Sequence, residues 1–490
     1  MTESVTAMDL VGGDDGSPAI VMPDGKQLDH AALRHAVDAF AARLRAVGLS
    51  RGDRVAILLP QGVELAACVL GAMRAAIAAP LNIAMHPDER SALLRRLRPA
   101  AVVTGRSALP GFSVPTGVRH LTPVSDDLVT WRADGDEIAP VPVDSPVAED
   151  LALVLHTSGT TGTPKLAALT HGNLAASVKT IRHWFGLTEI DRALTVMPLH
   201  HIHGIVAGLL APISAGGAVV LPPGFDAFRF FRWLERHGPT WYTAVPAIHQ
   251  AVVARAPSSA TGRLRFVRSS SAPLAPALMH DLEGVFGSPV IETLGMTEAA
   301  HQVAANPLPP GTRKPGSVGV PTGTEIEIRE TEGWPAGEGE VVVRGPGVFD
   351  GYEGVPGSVV DGWFRTGDIG RFDEDGYLFL TGRTKEMINR AGEKIAPREV
   401  EEVLLGHPAV AESAVFPVAD ALLGEAVAAA VVLIPGQSAT ERDLIRFSRS
   451  RLTRSKVPVV VFITESLPRG STGKVQRRSL AAALGLEPPR

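Results

Sequence analysis

The chain has 490 residues, 45% of them apolar and 20% charged, with a formal net charge of −5; this length calls for two or more domains, and this composition excludes a disordered or low-complexity protein. A single cysteine, Cys68, excludes a disulfide framework and a cysteine-rich metal site and predicts a reducing, cytoplasmic setting. The opening MTESVTAMDLVGGDDG has neither a basic start nor an apolar run, so no secretory signal is expected.

From Arg51 to Asn82 a short apolar run, a Pro/Gly turn and a long helical pattern form one strand–helix unit. The longest apolar stretch, Leu65 to Leu81, carries Arg74 and meets Pro80, which predicts a buried helix and connection and not a membrane span, with Cys68 as core packing. β-prone runs followed by helical spacing recur near Ala101, Leu151, Ala193, Ala218, Trp241 and Arg265. The expected fold is therefore α/β, with a large N-terminal domain (1–382) of mainly parallel sheets flanked by helices. After Pro315 short alternating strands broken by Gly and Pro predict a β-barrel-like subdomain over about 316–382. A hinge at 383–387 then leads to a small α+β domain, 388–490, with helices at PREVEEVLLGH and ERDLIRFSRSRL and strands at AVAESAVFPV and AVAAAVVLI. The last fifty residues hold eleven Lys or Arg against four Asp or Glu, a basic end suited to an anionic ligand.

The segment HTSGTTGTPK, His156 to Lys165, follows an apolar run and precedes Thr170 and Asn173, which are capping residues for a helix with Leu174, Val178, Ile181 and Phe185 on its apolar face. It is expected as a strand-to-helix turn. Pro164 before Lys165 and Leu166 after it depart from a Walker loop. Its glycines still bring backbone N–H groups close to an anion, Thr157, Ser158, Thr160, Thr161 and Thr163 add donors, and Lys165 adds a movable charge.

TSGTTGTPK resembles the phosphate loop of the acyl-adenylate-forming superfamily, which includes acid–CoA ligases and adenylation domains. Four further segments match in order: ETLGMTEAA (Glu292 to Ala300), DGWFRTGDIG (Asp361 to Gly370), GRTKEMINRAGEKIAPREVE (Gly382 to Glu401) and LPRGSTGKVQR (Leu467 to Arg477). The resemblance implies ATP-dependent activation of a carboxylic acid, with Mg2+ and coenzyme A, and a small domain that rotates between the two half-reactions. A carboxylate with a pKa near about 4 is already ionised and needs no general base; the obstacle is bringing it to a polyanion, which cations and fixed donors overcome. Carried over residue by residue, the catalytic positions are Lys474, Thr157, Glu298 (also the metal ligand) and His201. The ATP-binding positions are Thr157, Ser158, Gly159, Thr160, Thr161, Gly162, Lys165, Glu292, Thr293, Leu294, Thr297, Asp368 and Arg383. Lys385 matches the hinge and Gly392 the pantetheine approach. Leu294 stands where the family has a tyrosine stacked on adenine.

The segments PLHHIHGIVAGLLAPI, TWYTAVPAIHQAVV and RSSSAPLAP are similar to the oxalate–CoA ligase branch, apart from His200 and Ser270, where an aromatic and a cysteine are expected. That likeness implies a small dicarboxylate held by His201, Ser271 and His301, the last with a pKa raised beside a carboxylate; His203 is read as structural. Arg451, Arg454 and Lys456 are candidates for the nucleotide end of CoA. Three other readings carry their own marks. A medium-chain or aryl acid–CoA ligase is the runner-up. A stand-alone enzyme loading a carrier protein would place an aspartate after PLHH, where Ile202, His203 and Gly204 stand. A catalytically dead sensor would lose Lys474, Glu298 or Asp368, and all three are present. No nucleic acid or membrane partner is expected, and the protein is expected as a monomer or weak homodimer.

Overall fold

The computed structural model describes residues 5–486 except 108, 126, 158–164, 258–263, 331–333, 335, 392, 469–474, 476 and the side chains of 478 and 479. Its packing divides the chain into two units, Met1–Glu325 with Arg344–Phe364, and Ile326–Val343 with Arg365–Arg490.

In the first unit the β-prone runs build two sheets. In one, Pro18–Val21, Ala218–Val220, Arg192–Thr195, Trp241–Ala244, Phe266–Ser269 and Val290–Met296 lie side by side in parallel, and His301–Ala305 returns antiparallel. In the other, Leu151–Thr157, Ile77–Pro80, Arg54–Leu58, Ala101–Thr104 and Arg119–Pro123 are parallel. Every residue of Ile77–Pro80, Ala101–Thr104, Trp241–Ala244 and Phe266–Ser269 is buried, the mark of parallel strands covered on both faces. All six β-prone runs marked in the sequence are strands here, as expected of an α/β fold.

Two local expectations are corrected. The apolar stretch around Cys68 is a helix, Val63–Ala75, followed not by a mere connection but by the central strand Ile77–Pro80. Cys68 itself has no exposed surface. The expected strand-to-helix step is replaced by a second strand: Lys165–Thr170 pairs antiparallel with Leu151–Thr157, Lys165 facing Thr157, and residues 158–164 between them lie outside the described residues. The helix His171–Trp184 begins only after that second strand, with the capping box of Thr170 and Asn173 in place.

The second unit carries the strands Glu325–Glu330, Gly339–Arg344, Trp363–Phe372 and Leu378–Arg383 in that order in one sheet. A further sheet orders Glu393–Ile395, Ile388–Arg390, Gly424–Leu433 and Val410–Asp420, with Val460–Ile463 parallel to Gly424–Leu433. Ile388, Val400, Leu404, Val415, Val427, Leu444 and Val461 form its core. The expected boundary at 382/383 falls inside this unit. Leu378–Arg383 is tied to the helix Pro397–Leu405, since Arg398 Nη1 donates to the Leu380 carbonyl at 2.7 Å, so the barrel-like strands group with the C-terminal residues.

Candidate active site

In an open α/β sheet, ligands gather beyond the carboxyl ends of the strands, and the predicted acyl-side residues lie there. Thr243 and Arg268 are cross-strand partners, Ser271 follows two residues after Phe266–Ser269, and His301 starts the strand antiparallel to Val290–Met296. His203 joins them from a π-helical segment, His203–Leu210. Gly204 makes that segment possible, because a Cβ there would lie 2.2 Å from the Pro198 carbonyl oxygen.

These residues form one buried hydrogen-bonded cluster. Arg268 Nη1 lies 3.1 Å from His301 Nε2, 3.2 Å from Thr243 Oγ1 and 3.4 Å from His203 Nε2, while Nη2 donates to Gln302 Oε1 at 3.2 Å. His203 Nε2 lies 2.6 Å from Thr243 Oγ1, and its Nδ1 lies 3.2 Å from Ser271 Oγ. The His203 and His301 rings are 4.8 Å apart. Arg268, His301 and Thr243 have no exposed surface. Ser271 and His301 both have left-handed backbone, φ 69° and 106°, a cost of about 1–3 kcal/mol each that surrounding contacts must hold in place.

With only protein groups around it, burial first, then Arg268 and His203, holds His301 well below the usual imidazole value. His203 is likewise neutral, through burial and then Arg268. The cation of the cluster is Arg268, which burial lowers only to about 9. The sequence reading passed over Arg268, Thr243 and Gln302 and took His203 as structural; the available signal was an arginine inside the apolar strand LRFVRS. His201, by contrast, lies beside this cluster's entry segment, its N–H donating to the Pro198 carbonyl at 3.1 Å and its ring 4.4 Å from that of His200.

The motif residues of the first unit form a second row. Lys165 Nζ sits 4.5 Å from the centre of the Tyr352 ring, and the Tyr352 hydroxyl donates to Glu298 Oε1. Glu298 lies in the short turn Thr297–Ala299, with Thr297 half-buried beside it. Tyr352 thus links two motifs and was missed in sequence, although it is one of three tyrosines in the chain. Glu292, expected at the nucleotide, is 2% exposed and accepts the Leu274 N–H at 3.0 Å, so its carboxylate braces the loop of Ser271. Thr293 donates to the Ser269 carbonyl at 3.2 Å, and Leu294 is buried beside it.

In the second unit Asp368 and Arg383 face each other across two strands, with Arg383 Nε donating to Asp368 Oδ1 at 2.7 Å. Lys385 occupies an exposed turn after Arg383. Lys456 is held by both oxygens of Glu399 at 2.7 Å, and Arg451 stacks 3.7 Å from the Phe447 ring centre, so both cations already have protein partners. Ser158, Gly159, Thr160, Thr161, Gly162, Gly392 and Lys474 lie outside the described residues.

The AMP-binding enzyme family matches residues 12–353, and the AMP-binding enzyme C-terminal domain matches residues 399–474. Among curated relatives, a probable CoA ligase of Humulus lupulus is 43% identical over 94% of this chain and 93% of its own length. An oxalate–CoA ligase of Arabidopsis thaliana is 43% identical over 93% of each. The crystal structure of ATP-bound MatB from Rhodopseudomonas palustris superposes with a TM-score of 0.88 at 30% identity, covering 98% of this chain and 99% of that one. With its motifs in order and its fold shared, the chain belongs to the AMP-binding enzyme family and is an ATP-dependent acid–CoA ligase.

Proposed function

We propose that the acid is a small dicarboxylate, oxalate in the first place. The observation that carries this reading is the wholly polar cluster behind Ser271 and His301, which contains a buried arginine and two neutral histidines. Donors buried against an alkyl acid would be left unpaired at about 1–3 kcal/mol each, so the groups that receive a second carboxylate penalise a fatty tail. The similarity to an oxalate–CoA ligase supports the same choice.

In this reading one carboxylate of the acid attacks the α-phosphate of ATP and pyrophosphate leaves. The phosphate loop (Thr157, Ser158, Gly159, Thr160, Thr161, Gly162) and Lys165 hold the phosphates, Glu292, Thr293, Leu294 and Thr297 border the base, and Asp368 with Arg383 contacts the ribose. Lys474 bridges the attacking carboxylate and the α-phosphate, so that the charge moving between them is neutralised throughout. Glu298 suits Mg2+: it is a hard oxygen donor whose Oε2 takes no hydrogen bond from the described residues, and a single carboxylate completed by phosphate oxygens is the usual magnesium arrangement. Bound there, Mg2+ would offset the negative charge of the phosphates. His201 gates the passage toward the thiol. After rotation about Lys385, Gly392 lets the pantetheine arm approach, and the thiol displaces AMP. The single buried cysteine supports a reducing cytoplasm; every group invoked comes from one chain, so a monomer or weak homodimer suffices, and neither nucleic acid nor membrane is needed.

The test is CoA-dependent AMP formation across oxalate, malonate, hexanoate and benzoate. The expected result is a kcat/KM for oxalate at least 100-fold above that for hexanoate. Equal or faster turnover of hexanoate or benzoate overturns the assignment in favour of a medium-chain or aryl acid ligase.

A further inference from the structure

A buried arginine normally has a carboxylate beside it, because an isolated charge in the interior is expensive. Arg268 has none among the described residues. It has no exposed surface, its Nε has no hydrogen-bond partner among the described residues, its hydrogen-bonding neighbours are one hydroxyl, one amide oxygen and two imidazole nitrogens, and its guanidinium carbon lies 5.8 Å from the centre of the Phe185 ring. Burial is the one cause acting on its pKa. Such a cation needs a function, and its hydrogen-bond geometry shows one.

A guanidinium only donates. Arg268 Nη1 therefore requires a lone pair on His301 Nε2, 3.1 Å away, and the neutral His301 ring must carry its proton on Nδ1. That atom is buried and has no hydrogen-bond partner among the described residues. The ring packs directly against Gly295, where a Cβ would fall 2.4 Å from Nδ1.

The second arm runs through Thr243. Its Oγ1 accepts from Arg268 Nη1 at 3.2 Å, which leaves its own proton for His203 Nε2 at 2.6 Å. A proton on His203 Nε2 would point at the guanidinium 3.4 Å away, so Nε2 accepts and Nδ1 bears the proton. His203 Nδ1 then donates to Ser271 Oγ at 3.2 Å, and the Ser271 hydroxyl proton is released to face outward.

We propose that Arg268 is a positioning residue that fixes the tautomers of His301 and His203, placing the His301 proton on Nδ1 beside Gly295 and turning the Ser271 Oγ–H outward as a donor to the acid. The half-buried Ser271 hydroxyl then has a buried positive charge behind it, matched to an anionic group on the acid. A neutral acid tail cannot use this donor. The assignment of the ligand rests on the dicarboxylate reading; the tautomer device does not.

The experiment is long-range 1H–15N correlation NMR on the full chain labelled with 15N-histidine, with His203 and His301 assigned by single replacements to Asn. The expected result between pH 6 and 8 is Nδ1–H with a bare Nε2 on both rings. In Arg268→Met, Nε2–H forms should appear on one or both rings. The KM for oxalate should rise about 100-fold, with the KM for ATP and the kcat at saturating oxalate each within threefold. Arg268→Lys, which keeps a donor and a charge, should recover part of the oxalate KM. Wild-type His301 protonated at Nε2 overturns the proposal without recourse to any variant, and so does Arg268→Met with unchanged tautomers and unchanged oxalate KM. If the acid panel rejects dicarboxylates while Arg268→Met still shifts the tautomers, the substrate reading falls and the tautomer device stands.

Discussion

Tyr352 carries two duties on one ring: its face receives the Lys165 ammonium at 4.5 Å and its hydroxyl donates to Glu298. Tyr352→Phe keeps the first and removes the second, so the Glu298 carboxylate loses an orienting, charge-assisted bond of about 1.5–3 kcal/mol. The expected outcome is a Mg2+ concentration for half-maximal adenylation raised roughly tenfold, with little change in the oxalate KM, measured by pyrophosphate exchange against Mg2+. Tyr352→Ala, which also strips the ring from Lys165, should raise the KM for ATP as well. At this scale the sequence singles out residues that sit inside a contiguous motif, as Glu298 and Asp368 do. It does not single out a cluster made by separate strands meeting at their ends. Arg268 and Thr243 are 25 positions apart yet cross-strand partners, and nothing local to LRFVRS or TWYTAV announces the pairing. His203, read as a satisfied structural histidine, is buried with both ring nitrogens hydrogen-bonded, and its place in the cluster comes from the partners it meets on other segments.

Among the elements, the strand Lys165–Thr170 and the helix after it share one joint. Thr170 Oγ1 accepts the Asn173 N–H at 3.1 Å, Asn173 Oδ1 accepts the Thr170 N–H at 3.0 Å, and Asn173 Nδ2 donates to the carbonyls of Pro346 and Val348 at 2.9 and 3.1 Å. Thr170→Ala should lower stability by about 1 kcal/mol, the usual loss of a cap. Asn173→Ala should cost more, roughly 2 kcal/mol, because two carbonyls on the segment that precedes Tyr352 lose their donor too. Urea titration of both variants checks the order; equal losses would mean that the Pro346 and Val348 bonds contribute nothing. The caps were readable in sequence because they depend on adjacent residues. The strand Lys165–Thr170 was not, since the apolar run from Leu166 to Leu169, abutting a cap, gives no period long enough to separate strand from helix. Which strands keep company with the C-terminal residues was equally hidden, as that grouping rests on contacts such as Arg398 to the Leu380 carbonyl.

For the molecule as a whole, buried neutral histidines set the response to acid. Burial, foremost among the influences on it, lowers His171 from 6.5 to about 4, although its Nε2 bonds the Met73 carbonyl at 3.0 Å. Burial likewise lowers His200 to about 4 and His249 to about 3. Above pH 6.5 both folded and unfolded rings are neutral and nothing is lost. As pH falls below 6.5 the unfolded chain takes up protons first, and the loss continues until the folded rings titrate near pH 4, at about 3 kcal/mol for His171 alone. The urea midpoint should therefore fall steadily from about pH 7 to about pH 5, and His171→Gln should flatten that slope. The lone cysteine has a different kind of consequence. An acyl adenylate is a potent acylating agent, and a sulfhydryl within reach would intercept it. Cys68 is sealed in the Val63–Ala75 helix with its thiol pushed well above the ordinary value by burial, so the protein offers its activated product no reachable thiol of its own. Intact-mass spectra taken during turnover should show an unmodified polypeptide, and the sole thioester formed should be the one that departs on the coenzyme.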